Sequence, residues 1–260
     1  MKKLLSLLAV LLMTVAAQAD ILCEYSFEGK LNGKIFMELK FAVNHDEIAV
    51  GEVYYPKAKH PAPILVVGKM MDNGWYFLEE FQPDGEITGA MSFKIVEEEN
   101  DVPYISEGSW TNVKTDKSYD MVGFRSNGEP IDIPKFFDYE DPQNIGREYS
   151  YKLWNPRYND YMGGTVTFRG AGKHKLHFKV CNAPSNIAEG ESEPNRPAEL
   201  APYTYNTFEY KDVNECGYSF SAHFFKKFVV LKSTSNNDPS SLNCFGMNVA
   251  FDGVYIKTKQ

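Results

Sequence analysis

The stretch that decides the fold runs from Met71 to Ile95, MDNGWYFLEEFQPDGEITGAMSFKI. It holds two turn signals, Asp72-Asn73-Gly74 and Pro83-Asp84-Gly85. Asn and Gly tolerate positive φ, and Pro presets the second position of a turn. The runs after each turn, Trp75 to Phe81 and Ile87 to Ile95, are rich in aromatic and branched residues that suit a pleated, half-buried surface. In the second run Ile87, Met91, Phe93 and Ile95 face one way, while Thr88, Ser92 and Lys94 face the other. Strand, tight turn, strand is the grammar of the whole chain.

Working outward, residues 20–126 read as a meander. Ile35, Met37, Leu39 and Phe41 alternate with Phe36, Glu38 and Lys40, the period-2 signature of a strand. Ile48 to Tyr55 follows, with Gly51 inside it, which marks a bulge or a sharp bend. With an opening strand near Cys23 to Phe27, about eight strands at short spacing predict an up-and-down barrel or sandwich. Residues 127–146, broken by Pro130, Pro134 and Pro142, read as a linker onto which Phe136 and Phe137 pack back. From residue 147 to 260 about seven more strands form a second β domain, with a long irregular loop at 182–204. No segment sustains helical periodicity. The expected class is all-β, two antiparallel β domains after a leader.

Met1-Lys2-Lys3, an apolar run from Leu4 to Ala17 and an Ala17-Gln18-Ala19 site predict a cleaved signal peptide over residues 1–19. The run is too short for a permanent span. The expected address is therefore periplasmic or extracellular. Loss of Lys2 and Lys3 takes the net charge from −8 to −8 − 2 = −10. Such a charge disfavours nucleic acid and suits a basic protein partner. Four cysteines, Cys23, Cys181, Cys216 and Cys244, in an oxidising compartment predict disulfides. Of the three pairings, Cys216 with Cys244 and Cys23 with Cys181 is preferred; no C-x-x-C spacing supports zinc.

No catalytic signature survives inspection: G-x-S-x-G, S-x-x-K and H-E-x-x-H are all missing from the sequence. Gly170-Ala171-Gly172-Lys173 has the wrong glycine spacing for a phosphate loop, with His174 where Ser or Thr is needed. His174 and His177 point to opposite faces of a strand, so they do not chelate one metal. The acidic run Glu97 to Asp101 lacks the spaced pattern of a calcium loop. No cofactor is expected.

Glu79 and Glu80 are adjacent in an otherwise apolar strand, so one carboxylate must face inward, at a cost unless paired. Sixteen tyrosines, eighteen phenylalanines and three tryptophans offer both core filling and recognition. The candidate platforms are Trp75 and Tyr76 with Tyr54 and Tyr55, and Trp154 with Tyr158 and Tyr161.

The ending Cys244-Phe245-Gly246-Met247-Asn248-Val249-Ala250-Phe251-Asp252-Gly253-Val254-Tyr255-Ile256-Lys257 resembles the close of small exported β proteins of Gram-negative bacteria. These end in a Cys-Gly-Phe-Gly…Asp-Gly-x-Tyr-x-Lys pattern, and some are lysozyme-inhibitor-like; here the glycine after the cysteine is absent. Gly51-Glu52-Val53-Tyr54-Tyr55 and Gly108-Ser109-Trp110 are similar to the barrel part of such proteins. Two functions follow as expectations. One is an exported, non-catalytic module binding a glycan, lipid or other small ligand through aromatic residues. The other, which the resemblance implies, is an acidic inhibitor of a basic hydrolase such as lysozyme, with loops 155–164 or 182–204 entering the partner.

Overall fold

A computed structural model describes residues 21–98, 101–142, 146–172, 175–183, 188–192, 198–199, 206–211, 219–233 and 251–258. The expected leader, and Cys216 and Cys244, lie outside these residues. The first eight strands are β1 (Ile21–Leu31), β2 (Ile35–Asn44), β3 (Ile48–Tyr54), β4 (Ile64–Met70), β5 (Trp75–Phe81), β6 (Ile87–Val96), β7 (Tyr104–Asn112) and β8 (Lys117–Ser126). Each pairs antiparallel with its neighbour in sequence, and β1 pairs with β8 to close the barrel. Closure leaves no unpaired strand edge, which a lone meander would expose.

Alternation does the sorting. Met37, Leu39 and Phe41 of β2 enter the barrel with Leu78, Met91, Phe93 and Phe124, and side chains fill the interior. Register shifts occur at Ile21/Cys23, Glu28/Lys30, Glu80/Phe81 and Lys94/Ile95, not at Gly51. Gly51 instead serves close approach: a Cβ there would lie 2.0 Å from the Lys40 carbonyl oxygen.

The second half holds nine described strands rather than seven: β9 (Gly146–Asn155), β10 (Asp160–Gly170), β11 (Lys175–Ala183), β12 (Ala188–Glu191), β13 (Ala198–Glu199), β14 (Thr207–Lys211), β15 (Ser219–Phe224), β16 (Phe228–Ser233) and β17 (Gly253–Lys257). They form one curled antiparallel sheet in the order β12-β11-β10-β9-β17-β16-β15-β14, with β13 also on β11. The last strand is thus inserted between β9 and β16. Phe168, Phe178, Phe208 and Phe220 fill the inside of the curl, mostly edge to face.

The two halves share one apolar core. Outward-facing Ala42, Ile48, Val50, Val67, Phe81 and Ile87 of the barrel pack with Tyr151, Val230, Val254 and Ile256 of the sheet. Residues 127–146 contribute as well: the short helix α1 (Ile133–Phe136), capped by Asp132, brings Phe136 and Phe137 into that core. Polar stitches border it. The Lys152 amide donates to the Gly85 carbonyl at 2.8 Å, and Lys152 Nζ meets Asp84 at 3.0 Å.

The expected Cys23–Cys181 bridge is absent, and both thiols are free. Cys23 lies on β1 beside the Tyr76 hydroxyl, whereas Cys181 lies on β11 beside Glu189, so the two belong to different sheets. A bridge requires Cα atoms within about 7 Å.

Candidate functional site

The barrel has two unlike ends. At the far end, bounded by the β2–β3, β4–β5 and β6–β7 turns, aromatic rings plug the interior. Tyr76 stacks on Phe93 with centroids 5.5 Å apart and meets Phe41 edge-on. Burial pushes the Tyr76 phenol up to about 12. Tyr25 closes the plug by donating to Glu97 at 2.5 Å.

At the opposite end, the mouth, Leu31, Ile35, Tyr55, Trp110, Asn112, Thr115, Lys117 and Tyr119 line a concavity of about 420 Å³. The strand period explains the lining. On β8, Lys117 and Tyr119 share the inward parity of buried Met121, while Ser118 and Asp120 face out. On β7, Trp110 and Asn112 do the same, and Trp110 and Tyr119 lie tilted with centroids 5.6 Å apart.

Beneath the rings sits Glu80, 2 % exposed. Its Oε1 accepts from the Tyr55 hydroxyl and, at 2.7 Å, from the Trp110 indole N–H. Its Oε2 accepts from Thr88 at 3.3 Å. Burial pushes this carboxyl above its ordinary range, and the three donors pull against that shift. Gly89 makes room for the cluster, because a Cβ there would lie 2.5 Å from Trp110 Nε1 and 2.7 Å from Glu80 Oε2. One buried carboxylate therefore fixes the orientation of two of the three mouth rings.

The neighbouring carboxylate points the other way. Glu79 leaves the barrel towards the second sheet, where the Tyr151 phenol is raised first by burial and then by the nearby Glu79 charge. Burial alone pushes Glu79 up to about 7. Both acids are desolvated, on opposite sides of one strand, where alternation alone assigns one inward.

The other predicted residues scatter. Tyr76 belongs to the barrel core and is no platform. Trp75 lies on the outer wall at the far end, where it lines a shallow concavity of about 390 Å³ with Met71 and Phe77. Tyr54 is half-buried on the outer face of β3, and its neighbour Tyr55 takes the mouth position. Trp154 packs edge-on against Tyr161, with Lys114 of the barrel over its ring at 5.0 Å. Tyr158, 60 % exposed, sits on the β9–β10 turn beside Arg157. Trp110 was missed as a site residue; its signal is the inward parity it shares with Asn112.

A second polar group joins the two halves. Ser221 Oγ lies 3.1 Å from His223 Nε2, and His223 Nδ1 lies 3.4 Å from Asp46 of the barrel. These are the contacts of a serine–histidine–aspartate triad, but the burial is reversed. Ser221 is 7 % exposed and Asp46 carries the open end, with a side chain 56 % exposed. A nucleophile must meet substrate, so this arrangement reads as a fastening between barrel and sheet rather than as hydrolytic machinery. Lys232 strengthens it by donating to the Asp46 carbonyl at 2.6 Å.

Charge divides the barrel along its axis. The far-end turns carry Asp46, Glu47, Asp72, Glu97, Glu98 and Asp101 and no lysine or arginine. The mouth turns carry Lys34, Lys57, Lys59 and Lys114, with Lys117 at the start of β8. Three acids lie on the mouth turns: Asp84 is engaged by Lys152 and Glu86 by the Tyr161 hydroxyl at 2.6 Å, while Asp116 sits exposed beside Lys117.

Among the described residues no group of three or more His, Cys, Asp or Glu could hold a metal ion. No protein family, curated protein or solved structure gave a significant match to this chain.

Proposed function

We propose that this chain is an exported, non-catalytic binding protein that takes a small ligand in the mouth of its barrel. The observation carrying the reading is the Tyr55, Trp110 and Tyr119 cluster over buried Glu80. Rings held in place by a buried acceptor meet a ligand without first losing rotamer freedom, and that preorganisation favours affinity. Glycans, acyl chains and other bodies with an apolar face are the ligand classes that fit such a wall.

A thermal-shift screen of the mature protein against chito-oligosaccharides, peptidoglycan fragments and fatty acids tests this reading. A ligand that binds only the folded state raises Tm as it saturates the site. A shift that disappears in Trp110→Ala supports the mouth as the site. A flat screen, or a shift indifferent to Trp110, sinks it.

The second reading, an inhibitor of a basic hydrolase such as lysozyme, draws on a different region. The far-end turns present Glu47, Asp72, Glu98 and Asp101 and carry no lysine or arginine of their own, a field that steers a basic partner. Inhibition of lysozyme by the mature protein, weakened by salt and by Asp72→Asn with Glu98→Gln, would favour it over ligand binding.

A further inference from the structure

We infer that the ligand of the barrel mouth is an amphiphilic anion, with its carboxylate-type head on Lys117 and its apolar body against Trp110, Tyr55, Leu31 and Ile35. This inference rests on the reading of the mouth as the binding site.

Three observations carry it. The first is the hydrogen-bond inventory of the wall. The Tyr55 hydroxyl and the Trp110 N–H are both spent on Glu80. Thr115 spends its hydroxyl and its backbone N–H on Asn112 Oδ1, each at 2.9 Å. Among the described lining groups, the side-chain donors left for a ligand are the Lys117 ammonium, the Asn112 amide N–H and the Tyr119 hydroxyl. That is a set of donors around an apolar floor. A carboxylate is an acceptor only and can engage all three donors, with a charge-assisted bond to the Lys117 ammonium that a neutral sugar does not make.

The second observation is charge. Lys117 is the one charged residue lining the concavity, and no described ion pair engages it. Strand parity turns it inward with Tyr119, so its ammonium belongs to the mouth rather than to the outer wall. The third is the long-range field. In a chain of net charge −8, the five lysines at the mouth outnumber its three acids, Asp84, Glu86 and Asp116, and make this end the more favourable approach for an anion. The packed interior below limits the body to a short one, since Leu39, Phe41, Leu78 and Met91 already fill the barrel.

The test uses two matched pairs, octanoate with octanamide and 2-naphthoate with 2-naphthamide, titrated by tryptophan fluorescence against the mature protein. The pairs separate an acyl body from an aromatic one, and each isolates the head charge. Each acid should bind about tenfold more tightly than its amide, a ratio equal to roughly 1.4 kcal/mol. The ratio should fall to about one in Lys117→Ala, persist in Lys117→Arg, and shrink with added salt. Unchanged melting of the Lys117 variants confirms that the fold is intact.

Equal binding of acid and amide by the wild-type protein overturns the inference, as does a preference that survives Lys117→Ala. Saturation by chitotriose in a Trp110-dependent manner, with neither acid binding, overturns it while leaving the mouth as a binding site. No Trp110-dependent response to any of these probes overturns both.

Discussion

The two ends of the barrel are built from the same strands and do opposite jobs. At the far end the inward positions of β1, β2, β5 and β6 are Tyr25, Phe41, Tyr76 and Phe93, which close on one another as rings. At the mouth the inward position of β5 is Glu80, and the rings that reach it, Tyr55 and Trp110, are tethered instead of packed face to face. A single change of residue class along β5, from Tyr76 and Leu78 to Glu80, converts a plug into a lined opening. The difference teaches that an eight-stranded barrel, just wide enough to be filled by side chains, keeps an open, ring-lined concavity where a polar residue interrupts the filling.

The comparison predicts where substitutions hurt stability and where they hurt binding. The largest effect belongs to the plug. Phe93→Ala removes a fully buried ring and should destabilise by about 3–5 kcal/mol, read from denaturant unfolding, while any protein that still folds keeps its mouth. A cost under about 1 kcal/mol would mean that the far end is not packed as described.

Next comes the pair of acids. Glu79 has a folded value near 7 against an ordinary 4.5, so the folded protein holds its proton more tightly than the unfolded chain. Its contribution therefore works against folding as pH rises from about 4.5 to 7, and in full above that. Glu79→Gln should flatten this slope and raise stability at pH 8 by roughly 1–3 kcal/mol. A variant that is less stable than wild type at pH 8 would show that Glu79 is paired as a carboxylate.

Trp110→Phe keeps a ring at the mouth but removes the N–H that Glu80 accepts. Leaving a buried acceptor short of a donor should destabilise by roughly 1–2 kcal/mol, with the larger loss at high pH where Glu80 is charged. Equal stability at all pH values would separate Trp110 from Glu80. The smallest effect is reserved for the acidic turns. Asp72→Asn should change stability by less than about 0.5 kcal/mol and leave binding at the mouth untouched.

Much of the barrel was legible in sequence. The alternation in Ile35 to Phe41 and the turns at 72–74 and 83–85 locate strands and their inward faces, because period 2 is a local property. The second sheet was harder. β17 enters between β9 and β16, a long-range pairing that no local pattern encodes, and the strand count came out two short. The site was half legible. Glu79 and Glu80 stood out as acids in an apolar strand. The partners of Glu80 did not, because Tyr55 and Trp110 lie 25 and 30 residues away and meet it only when the barrel closes. Tyr54 and Tyr55 were indistinguishable by composition; one residue of parity puts the first on the wall and the second in the mouth. The Ser221–His223–Asp46 fastening spans both halves and left no trace in spacing.

The tryptophans offer the most direct test, since the chain has three and each marks a different place. Trp75 lies at the far end, Trp110 at the mouth and Trp154 on the second sheet. In ¹⁵N-labelled protein titrated with 2-naphthoate, the three indole N–H signals report separately. The Trp110 signal should move and saturate while those of Trp75 and Trp154 hold still. Movement of Trp75 or Trp154 with Trp110 unchanged would place binding elsewhere and contradict the mouth as the site.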